Sequence, residues 1–411
     1  MTKLRASVDL FALAGHARLM FAKVVGAMAG AAWRVSGRGQ GIVLTGRMIL
    51  AIAPDALAQL SRGRSTILVS GTNGKTTTTA MIVASLGGDV ATNNSGANMD
   101  AGIVQAYARS ACSTAVIEVD EFYVSTIGNS TSPEIFVALN LSRDQMDRMH
   151  EVGSVVQRWS DFLDSCDPHV IGNAKDPNVV AAVGSHSATW VDPGWHMRDD
   201  SRVCPLCTAL LDWDSSGWAC KCGLHQPVAD YVVDGEVVHT SMGVTVQLEL
   251  ALPGTVNRGN AAFAIAVAQH MGVDANVASS RMVEIDDISG RYGFITLGGR
   301  KVRTLLAKNP AGWASVLPML NPDDVIIISI NAREADGLDT SWLWEVPFEI
   351  LGNRVVGVHG EHQEDLALRL EVAGVVPVVE KDINALVRQL PEGSCVVIAN
   401  YSAFTALRGQ R

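Results

Sequence analysis

Apolar positions in this chain follow two different periods, and their succession predicts strands that alternate with helices. Short β-branched runs at 65–70, 115–119 and 135–139 indicate buried strands. Helix-like stretches lie between and after them, and the clearest of these is 76–86. Because strands that alternate with helices usually pair in parallel, we predict an α/β fold with a mostly parallel sheet.

The same pattern predicts three parts in the 411-residue chain. Residues 1–60 form a helical arm, 61–295 a central α/β domain and 296–411 a second α/β domain. The boundary follows from a rise in glycine density at 290–299, which is typical of a hinge. Strand candidates of the second domain are 302–306, 325–330, 354–358, 376–379 and 396–399.

The apolar stretch 9–35 of the arm is interrupted by His16, Arg18, Lys23 and Arg34. A helix that spans a membrane needs about 20 apolar residues with few charges, so we expect an amphipathic helix packed on the body. A helix that rests on a membrane surface is the alternative. No convincing secretion signal is present, and we therefore expect a cytoplasmic protein.

The composition and net charge of the chain restrict the classes of function that it can have. Hydrophobic residues make up 48% of the chain and charged residues 18%, which is typical of a folded globular protein. The formal net charge is −10, whereas sequence-independent binding of nucleic acid usually needs a basic face. The composition therefore argues against a general nucleic-acid binder.

A glycine-rich turn lies between the strand 65–70 and the helix 76–86, which is where a phosphate loop is found. It consists of Gly71, Thr72, Asn73, Gly74, Lys75, Thr76 and Thr77. Its glycines let backbone N–H groups converge on phosphate oxygens, and the helix N-terminus adds partial positive charge. We expect Lys75 to neutralise the outer phosphates and the Thr76 hydroxyl to ligate Mg²⁺. Val69 stands where the general motif has its first glycine, so this loop is a shortened variant.

Two carboxylates, Glu118 and Asp120, lie at the end of the strand predicted at 115–119. Open α/β sheets bind ligands at the carboxyl ends of their strands. Mg²⁺ is commonly held by one or two carboxylates together with phosphate oxygens and water. We therefore predict that Glu118 partners Thr76 in a magnesium site.

Four of the seven cysteines form two short pairs: Cys204 with Cys207, and Cys220 with Cys222. Two such knuckles about a dozen residues apart are typical of a structural zinc ribbon, inserted here at about 200–226. Four thiolates complete a tetrahedron, so we expect no open catalytic position. Nearby charges are mostly acidic, which does not favour a ribbon that binds nucleic acid.

The phosphate loop also carries a resemblance to known enzymes. Residues 70–77 resemble the ATP loop of Mur ligases and folylpolyglutamate synthases, which join a carboxylate to an amine through an acyl phosphate. Segments 94–99, 117–121, 140–147, 254–260 and 290–291 also resemble this family and occur in its order. Because a four-cysteine ribbon lies inside the central domain, the chain resembles the MurT subunits of lipid II isoglutaminyl synthase over nearly its whole length.

The resemblance implies a Mur-ligase-like central domain and a Rossmann-like C-terminal domain, with ATP, Mg²⁺ and Zn²⁺ as cofactors. Asn257, Asn260 and Arg291 would lie around the nucleotide. The implied activity is ATP-dependent amidation of the α-carboxylate of D-glutamate in lipid II. Ammonia from a partner glutaminase, called GatD, would complete D-isoglutamine.

Residues 306–312 and 335–344 resemble the family's C-terminal motifs. The resemblance implies that Asp339 orients the catalytic histidine of the partner glutaminase, a role for which Glu345 is a competitor. By residue type alone, Asp339 is more often a helix cap. Lys308 is a candidate for holding phosphate or a substrate carboxylate, with a solvated lysine as the alternative.

The remaining cysteines bear on the source of ammonia. Cys112, Cys166 and Cys395 do not lie in the glycine-flanked elbow of a nucleophile, so a separate glutaminase chain is expected. Two rival functions stay open. One is a ligase of the Mur or folylpolyglutamate kind that adds an amino acid, and the other is a non-catalytic scaffold that binds nucleotide.

Overall fold

The structure, a computed structural model, describes residues 2–37, 39–93, 96–142, 152–195, 201–215, 217–285, 292–333 and 338–409. Its N-terminal arm consists of α1 (Thr2–Val35), α2 (Ile42–Ile52) and α3 (Ala56–Ser61). The first two helices pack closely because glycines line their contact. A Cβ at Gly26 or Gly30 would come within 2.8 Å or less of Thr45 on α2. The predicted helix of the arm is therefore present and lies against the body.

The central domain contains eleven described strands. They are β1 (Ser65–Ser70), β2 (Ala91–Thr92), β3 (Thr114–Glu118), β4 (Ile135–Ala138), β5 (His169–Asn173), β6 (Ala188–Asp192), β7 (Asp212–Asp214), β8 (Gly217–Ala219), β9 (Tyr231–Asp234), β10 (Val237–Thr240) and β11 (Thr245–Gln247). Nine of them form one sheet in the order β11-β10-β9-β6-β5-β4-β1-β3-β2. The run from β9 to β2 is parallel, and β10 and β11 continue the sheet antiparallel.

Helices cover both faces of this sheet. Those of the described central domain are α4 (Lys75–Leu86), α5 (Asp100–Arg109), α6 (Val124–Thr131), α7 (Val152–Cys166), α8 (Pro177–Val183), α9 (Thr255–His270) and α10 (Ala275–Met282). Successive strand residues point to opposite faces, so Leu68 joins one core with α5 and α7, while Ile67 joins the other with α4 and α9. Because both faces are buried, the strands read as continuous apolar runs in the sequence.

The C-terminal domain is a second doubly covered sheet. Its strands are β12 (Tyr292–Leu297), β13 (Arg300–Leu306), β14 (Val325–Ser329), β15 (Val355–His359), β16 (Val376–Val379) and β17 (Cys395–Ala399), in the order β12-β13-β17-β14-β15-β16. Its helices are α11 (Pro310–Val316), α12 (Gln363–Val372), α13 (Ile383–Gln389) and α14 (Tyr401–Arg408), with 3₁₀ turns at Leu317–Met319, Ser341–Glu345 and Phe348–Leu351. Only β12 among these described strands runs antiparallel to its neighbour.

The α/β fold with two mainly parallel sheets is confirmed. The five strand candidates of the second domain coincide with β13 to β17 to within one or two residues. The domain boundary expected after residue 295 falls inside β12, because this sheet begins at Tyr292. In β12 the residues alternate between buried and exposed, and the glycines around them indicated a hinge rather than a strand.

Candidate active site

The phosphate loop connects the buried strand β1 to the first turn of α4. Gly71 and Gly74 have φ angles of 148° and 85°, a region that side chains other than glycine disfavour. A Cβ at Gly71 would also come within 2.9 Å of the Asn140 nitrogen and of Leu139. The loop thus needs glycine both for its backbone conformation and for close contact with the end of β4.

Asn140 fixes the conformation of the loop from the neighbouring strand. Its side-chain oxygen accepts from the Asn73 N–H at 3.0 Å, and its side-chain nitrogen donates to the Asn73 carbonyl at 2.9 Å. The backbone of Asn140 also accepts from the Thr72 N–H at 2.8 Å. Sequence reasoning gave Asn140 no role, although its position at the end of a buried strand was a usable signal.

Lys75 is buried at the start of α4. Its ammonium lies 3.0 Å from the Glu121 carboxylate, and it also donates to the carbonyls of Gly71 and Thr72. Burial alone would lower the pKa of Lys75, but the carboxylates of Glu121, Glu118 and Asp120 together raise it. Lys75 is therefore charged at neutral pH and is held by the Glu121 carboxylate and two carbonyls of its own loop.

Glu121 is a second residue to which sequence reasoning gave no role. It is buried, and its backbone carbonyl accepts from the Trp159 indole at 3.0 Å. The sequence signal was present, because Glu121 closes the acidic segment that follows β3. What sequence could not show is which of these carboxylates meets Lys75.

Thr76 and Glu118 meet as predicted. The Thr76 hydroxyl donates to the Glu118 carboxylate at 2.9 Å, and both residues are buried. Asn93 holds the Glu118 backbone through two hydrogen bonds of 2.9 and 2.8 Å. A hydroxyl and a carboxylate side by side at a helix N-terminus fit the protein ligands of a magnesium ion that is shared with phosphate.

Asp120 lies where the two domains face each other. Burial, and then the Glu121 carboxylate, raise the pKa of Asp120, while Lys75, the Phe122 N–H and Lys308 oppose that rise. Lys308 belongs to the loop between β13 and α11, so a lysine of the C-terminal domain acts on a carboxylate of the central domain.

A cleft that is open to solvent lies between the two domains beside the phosphate loop. Its central-domain wall includes Asn73, Gly74, Thr77, Asn257 and Asn260. Its C-terminal wall includes Tyr292, Leu305, Gly312, Ser315 and Met319. The structure therefore brings Asn257 and Asn260 to the phosphate loop as expected, whereas Arg291 lies outside the described residues.

The four clustered cysteines converge next to the hairpin of β7 and β8. All four sulfur atoms lie within 4.8 Å of one another, with Cys204 and Cys220 buried and Cys207 and Cys222 exposed. The 204–222 and 207–220 sulfur pairs are 3.7 and 3.4 Å apart. Four Zn–S bonds of about 2.3 Å place tetrahedral sulfurs about 3.8 Å apart, so this geometry suits a zinc ion.

Asp339 lies exposed on the C-terminal domain, far along the chain from the phosphate loop. It accepts hydrogen bonds from the Ser341 N–H at 2.8 Å and the Ser341 hydroxyl at 2.9 Å, and these bonds lower its pKa. Trp342 is buried in the following 3₁₀ turn, while Trp344 is exposed and lies under Arg369. Asp339 therefore binds the first residue of this turn, of which Thr340 is the N-cap residue, and presents a carboxylate at the surface.

Comparisons with known proteins agree with this arrangement. Residues 69–195 match the family model of the Mur ligase middle domain, and residues 306–404 match that of the MurT ligase C-terminal region. The first match holds the phosphate loop and Glu118, and the second holds Lys308 and Asp339.

Curated relatives extend the likeness to almost the whole chain. The subunit MurT of lipid II isoglutaminyl synthase from Staphylococcus aureus (strain N315) is 30% identical, covering 90% of this chain and 93% of the relative. The chain belongs to the MurT family. The MurT subunit from Streptococcus pneumoniae (strain R6) is 27% identical over 90% of this chain and 92% of its own length. Membership places the protein among the Mur-type, ATP-dependent ligases.

Solved structures agree at the level of the fold. A pseudomurein peptide ligase type C from Methanothermus fervidus superposes with a TM-score of 0.67 at 17% identity, covering 84% of this chain and 78% of its own. The fold is thus the Mur ligase fold.

Proposed function

We propose that this chain is the synthetase subunit that amidates the α-carboxylate of D-glutamate in lipid II and so forms D-isoglutamine. The full-length likeness to MurT subunits carries the proposal. The contact of Thr76 with Glu118, beside a buried Lys75 in the same loop, supports catalysis rather than a non-catalytic scaffold, because a magnesium site and a phosphate-binding cation lie side by side.

ATP would bind in the cleft, with its phosphates over the loop 71–77 and its base toward Asn257 and Asn260. Arg291 is proposed on the nucleotide side from the family resemblance. Thr76 and Glu118 would hold Mg²⁺, which neutralises phosphate charge when bound. Lys75 stabilises the charge that develops on the transferred phosphoryl group.

The reaction would take two steps. A carboxylate oxygen of D-glutamate attacks the γ-phosphorus of ATP, and ADP leaves, which gives an acyl phosphate. The ammonia nitrogen then attacks the carbonyl carbon, phosphate leaves, and a proton is released from nitrogen. Lys308 faces Asp120 across the domain interface and is our candidate for orienting the carboxylate or phosphate. Contact between the two domains would exclude water, which otherwise hydrolyses the acyl phosphate.

A separate glutaminase subunit of the GatD kind would supply the ammonia. Cys395, the buried first residue of β17, has its pKa raised by burial, as expected for a core cysteine rather than a nucleophile. Asp339 would complete the partner's active site by fixing the tautomer of its histidine, and Glu345 is the alternative. Leu338, Trp344 and Ile350 are exposed near Asp339 in the sequence and suit a protein interface.

We further propose that the cysteine cluster holds a structural Zn²⁺ and that the protein works as a peripheral protein at the inner membrane face. None of the helices in the described segments has the length and apolar character needed to cross a bilayer. The lipid anchor of the proposed substrate would nevertheless confine the reaction to the membrane surface.

Mass spectrometry of the product tests the proposal. Purified chain receives ATP, Mg²⁺ and lipid II, with either ammonium or glutamine as the nitrogen donor. We expect ammonium alone to support amidation, and glutamine to do so only after the glutaminase is added. Ligation of an added amino acid, with no amidation from either donor, would instead establish a conventional amino-acid-adding ligase.

A further inference from the structure

The helix α1 exposes an apolar stripe along the part of its surface that points away from the body. Met20 is 49% exposed, Phe21 62%, Val24 57%, Met28 68% and Val35 90%. Spacings of three, four and seven residues place these side chains on one side of a helix. We call these five residues the α1 stripe.

The opposite side of α1 is the one that the fold buries. Leu19 and Ala22 are buried in the central core, and Gly26 and Gly30 lie against α2. At 100° per residue this inner side is almost diametrically opposite the stripe. The stripe is therefore the outward face of a helix whose opposite side is packed against the body.

The N-terminal arm around the α1 stripe is basic, whereas the protein as a whole is acidic. Residues 10–54 contain no Asp or Glu and carry Arg18, Lys23, Arg34, Arg38 and Arg47 in a chain of net charge −10. Asp9 and Asp55 border this range, and Asp55 is paired with Arg18, so Lys23 and Arg34 are the basic residues of α1 on which the charge argument rests. On the helix, Arg18 lies to one side of the stripe, and Lys23 and Arg34 lie to the other. Apolar side chains flanked by basic ones are the signature of a helix that lies in the surface of an anionic bilayer.

We propose that the α1 stripe docks the protein on an anionic membrane surface, with α1 parallel to the bilayer plane. The choice of a lipid surface rests on the proposed function, since a lipid-linked substrate places the reaction there. The charge pattern also disfavours a second copy of this chain, because an isologous pairing of stripes would bring the basic flanks together.

Docking through α1 would place the active site near its substrate. The helix α2 packs on the first turn of α5, where a Cβ at Gly46 would collide with the Ala101 carbonyl. The residue Asn98, just before α5, donates toward Glu118 at 3.5 Å. The arm is thus attached to the same edge of the sheet that carries the proposed magnesium carboxylate.

Vesicle flotation of the full chain tests the proposal without any need for catalysis. Wild-type protein is mixed with vesicles of phosphatidylglycerol and phosphatidylcholine, or of phosphatidylcholine alone. We expect binding to the anionic vesicles only, weakened by salt, and a loss of affinity of about tenfold or more in Met28→Asp. Met242→Asp is the matched control, because Met242 is 67% exposed but lies outside the arm.

Wild-type protein that fails to float with anionic vesicles would overturn the docking proposal, and so would an equal loss in both variants. Dimers that appear in light scattering and are lost in Met28→Asp would show that a second copy covers the stripe. Amidation of a lipid-free muropeptide separates this result from the proposed function. We expect Met28→Asp to keep that activity, and its far-ultraviolet dichroism confirms that the variant is folded.

Discussion

The Lys75 ammonium lies between two carbonyls of its own loop and the Glu121 carboxylate. A lysine ammonium has three donors, so these acceptors already match its capacity. Phosphate oxygens can take Lys75 only by replacing one of these bonds. Glu121 is the acceptor that also repels phosphate, which makes it the bond we expect to be exchanged.

The variant Glu121→Gln keeps the shape of the side chain and removes its charge. We expect MgATP to bind more tightly by roughly threefold to tenfold, because the phosphates no longer compete with a carboxylate for Lys75. Titration calorimetry measures the change. Glu134→Gln is the control. Glu134 is exposed and directly precedes β4, at the end of the strand that lies away from the phosphate loop, so the affinity should not change. Weaker binding in Glu121→Gln would show that Glu121 assists the nucleotide instead.

Asp120 provides a prediction about stability and pH. Its pKa is raised in the folded protein above the ordinary 3.8, first by burial and then by Glu121. The folded state therefore holds the proton more tightly than the unfolded chain. The resulting stability is present below the unfolded pKa and is lost as the pH rises through the folded pKa. At neutral pH the charged Asp120 thus costs stability.

We expect Asp120→Asn to increase the free energy of unfolding at neutral pH, by about 1 kcal/mol or less. The gain should shrink as the pH falls through the raised pKa of Asp120 toward 3.8, because the folded protein then takes up the proton. Urea unfolding at a series of pH values measures it. Asp339→Asn is the comparison with the opposite sign, since hydrogen bonds from Ser341 lower the pKa of Asp339. A loss of stability in Asp120→Asn at neutral pH would refute the argument.

Individual site residues could be predicted from the sequence where the chemistry requires them at fixed positions in a motif. Lys75, Thr76 and Glu118 could be predicted because a phosphate loop and a strand end have fixed geometries. Glu121 and Asn140 lie at strand ends that the sequence marks, but their contacts with Lys75 and Asn73 could not be predicted, because these depend on which side chains meet across neighbouring strands. Asp339 shows a further limit, since its hydrogen bonds to Ser341 do not reveal whether it serves a partner protein.

Among the elements, the ribbon of β7 and β8 has very little core of its own. Its buried Cys204, Leu211, Trp218 and Cys220 pack on Val180 of α8. A unit of this size is usually too small to fold without a metal or disulfides. The four thiolates within 4.8 Å of one another are the obvious source of that stability.

We expect the purified protein to contain about one zinc per chain, measured by plasma mass spectrometry, because four thiolates complete one tetrahedral site. Chelation, or Cys204→Ser with Cys220→Ser, should remove the metal and shift the fluorescence of the buried Trp218 to longer wavelength. Cys112→Ser, outside the cluster, should keep both the metal and the spectrum. Full zinc content in the double variant would place the metal elsewhere.

Strands buried on both faces were the most predictable elements. β1, β3 and β4 appear in the sequence as short apolar runs because both of their faces pack under helices. β12 was not predicted, since its buried residues alternate with exposed or partly exposed ones and glycines flank it. The short pairings of β9, β10 and β11 depend on partners along the sheet, which a single sequence does not reveal.

At the scale of the whole molecule, the two sheets contribute opposite walls to one cleft. Contact across it is close, because a Cβ at Gly254 would come within 2.7 Å of Met319. Both domains line the cleft, so we expect a bound nucleotide to contact and protect residues in each of them.

Hydrogen exchange should show this coupling directly. We expect MgATP to slow exchange in the first turn of α4 and also in residues 307–319 of the C-terminal wall, because both would contact the nucleotide. Lys75→Ala should lose both effects, while α13, at a distance from the cleft, should not respond in either protein. Protection confined to the central domain would mean that the C-terminal wall does not take part in binding.

The close packing of the arm has a consequence for how this protein can be divided. Ala22 of α1 and Ile49 of α2 belong to the same core as Ile103 and Tyr107 of α5. Removing residues 1–60 would uncover the apolar surfaces of α5 and α6 on which the arm packs. We therefore expect the smallest fragment that folds to include this arm. The central domain and α1 then form one folding unit and cannot be exchanged separately between proteins.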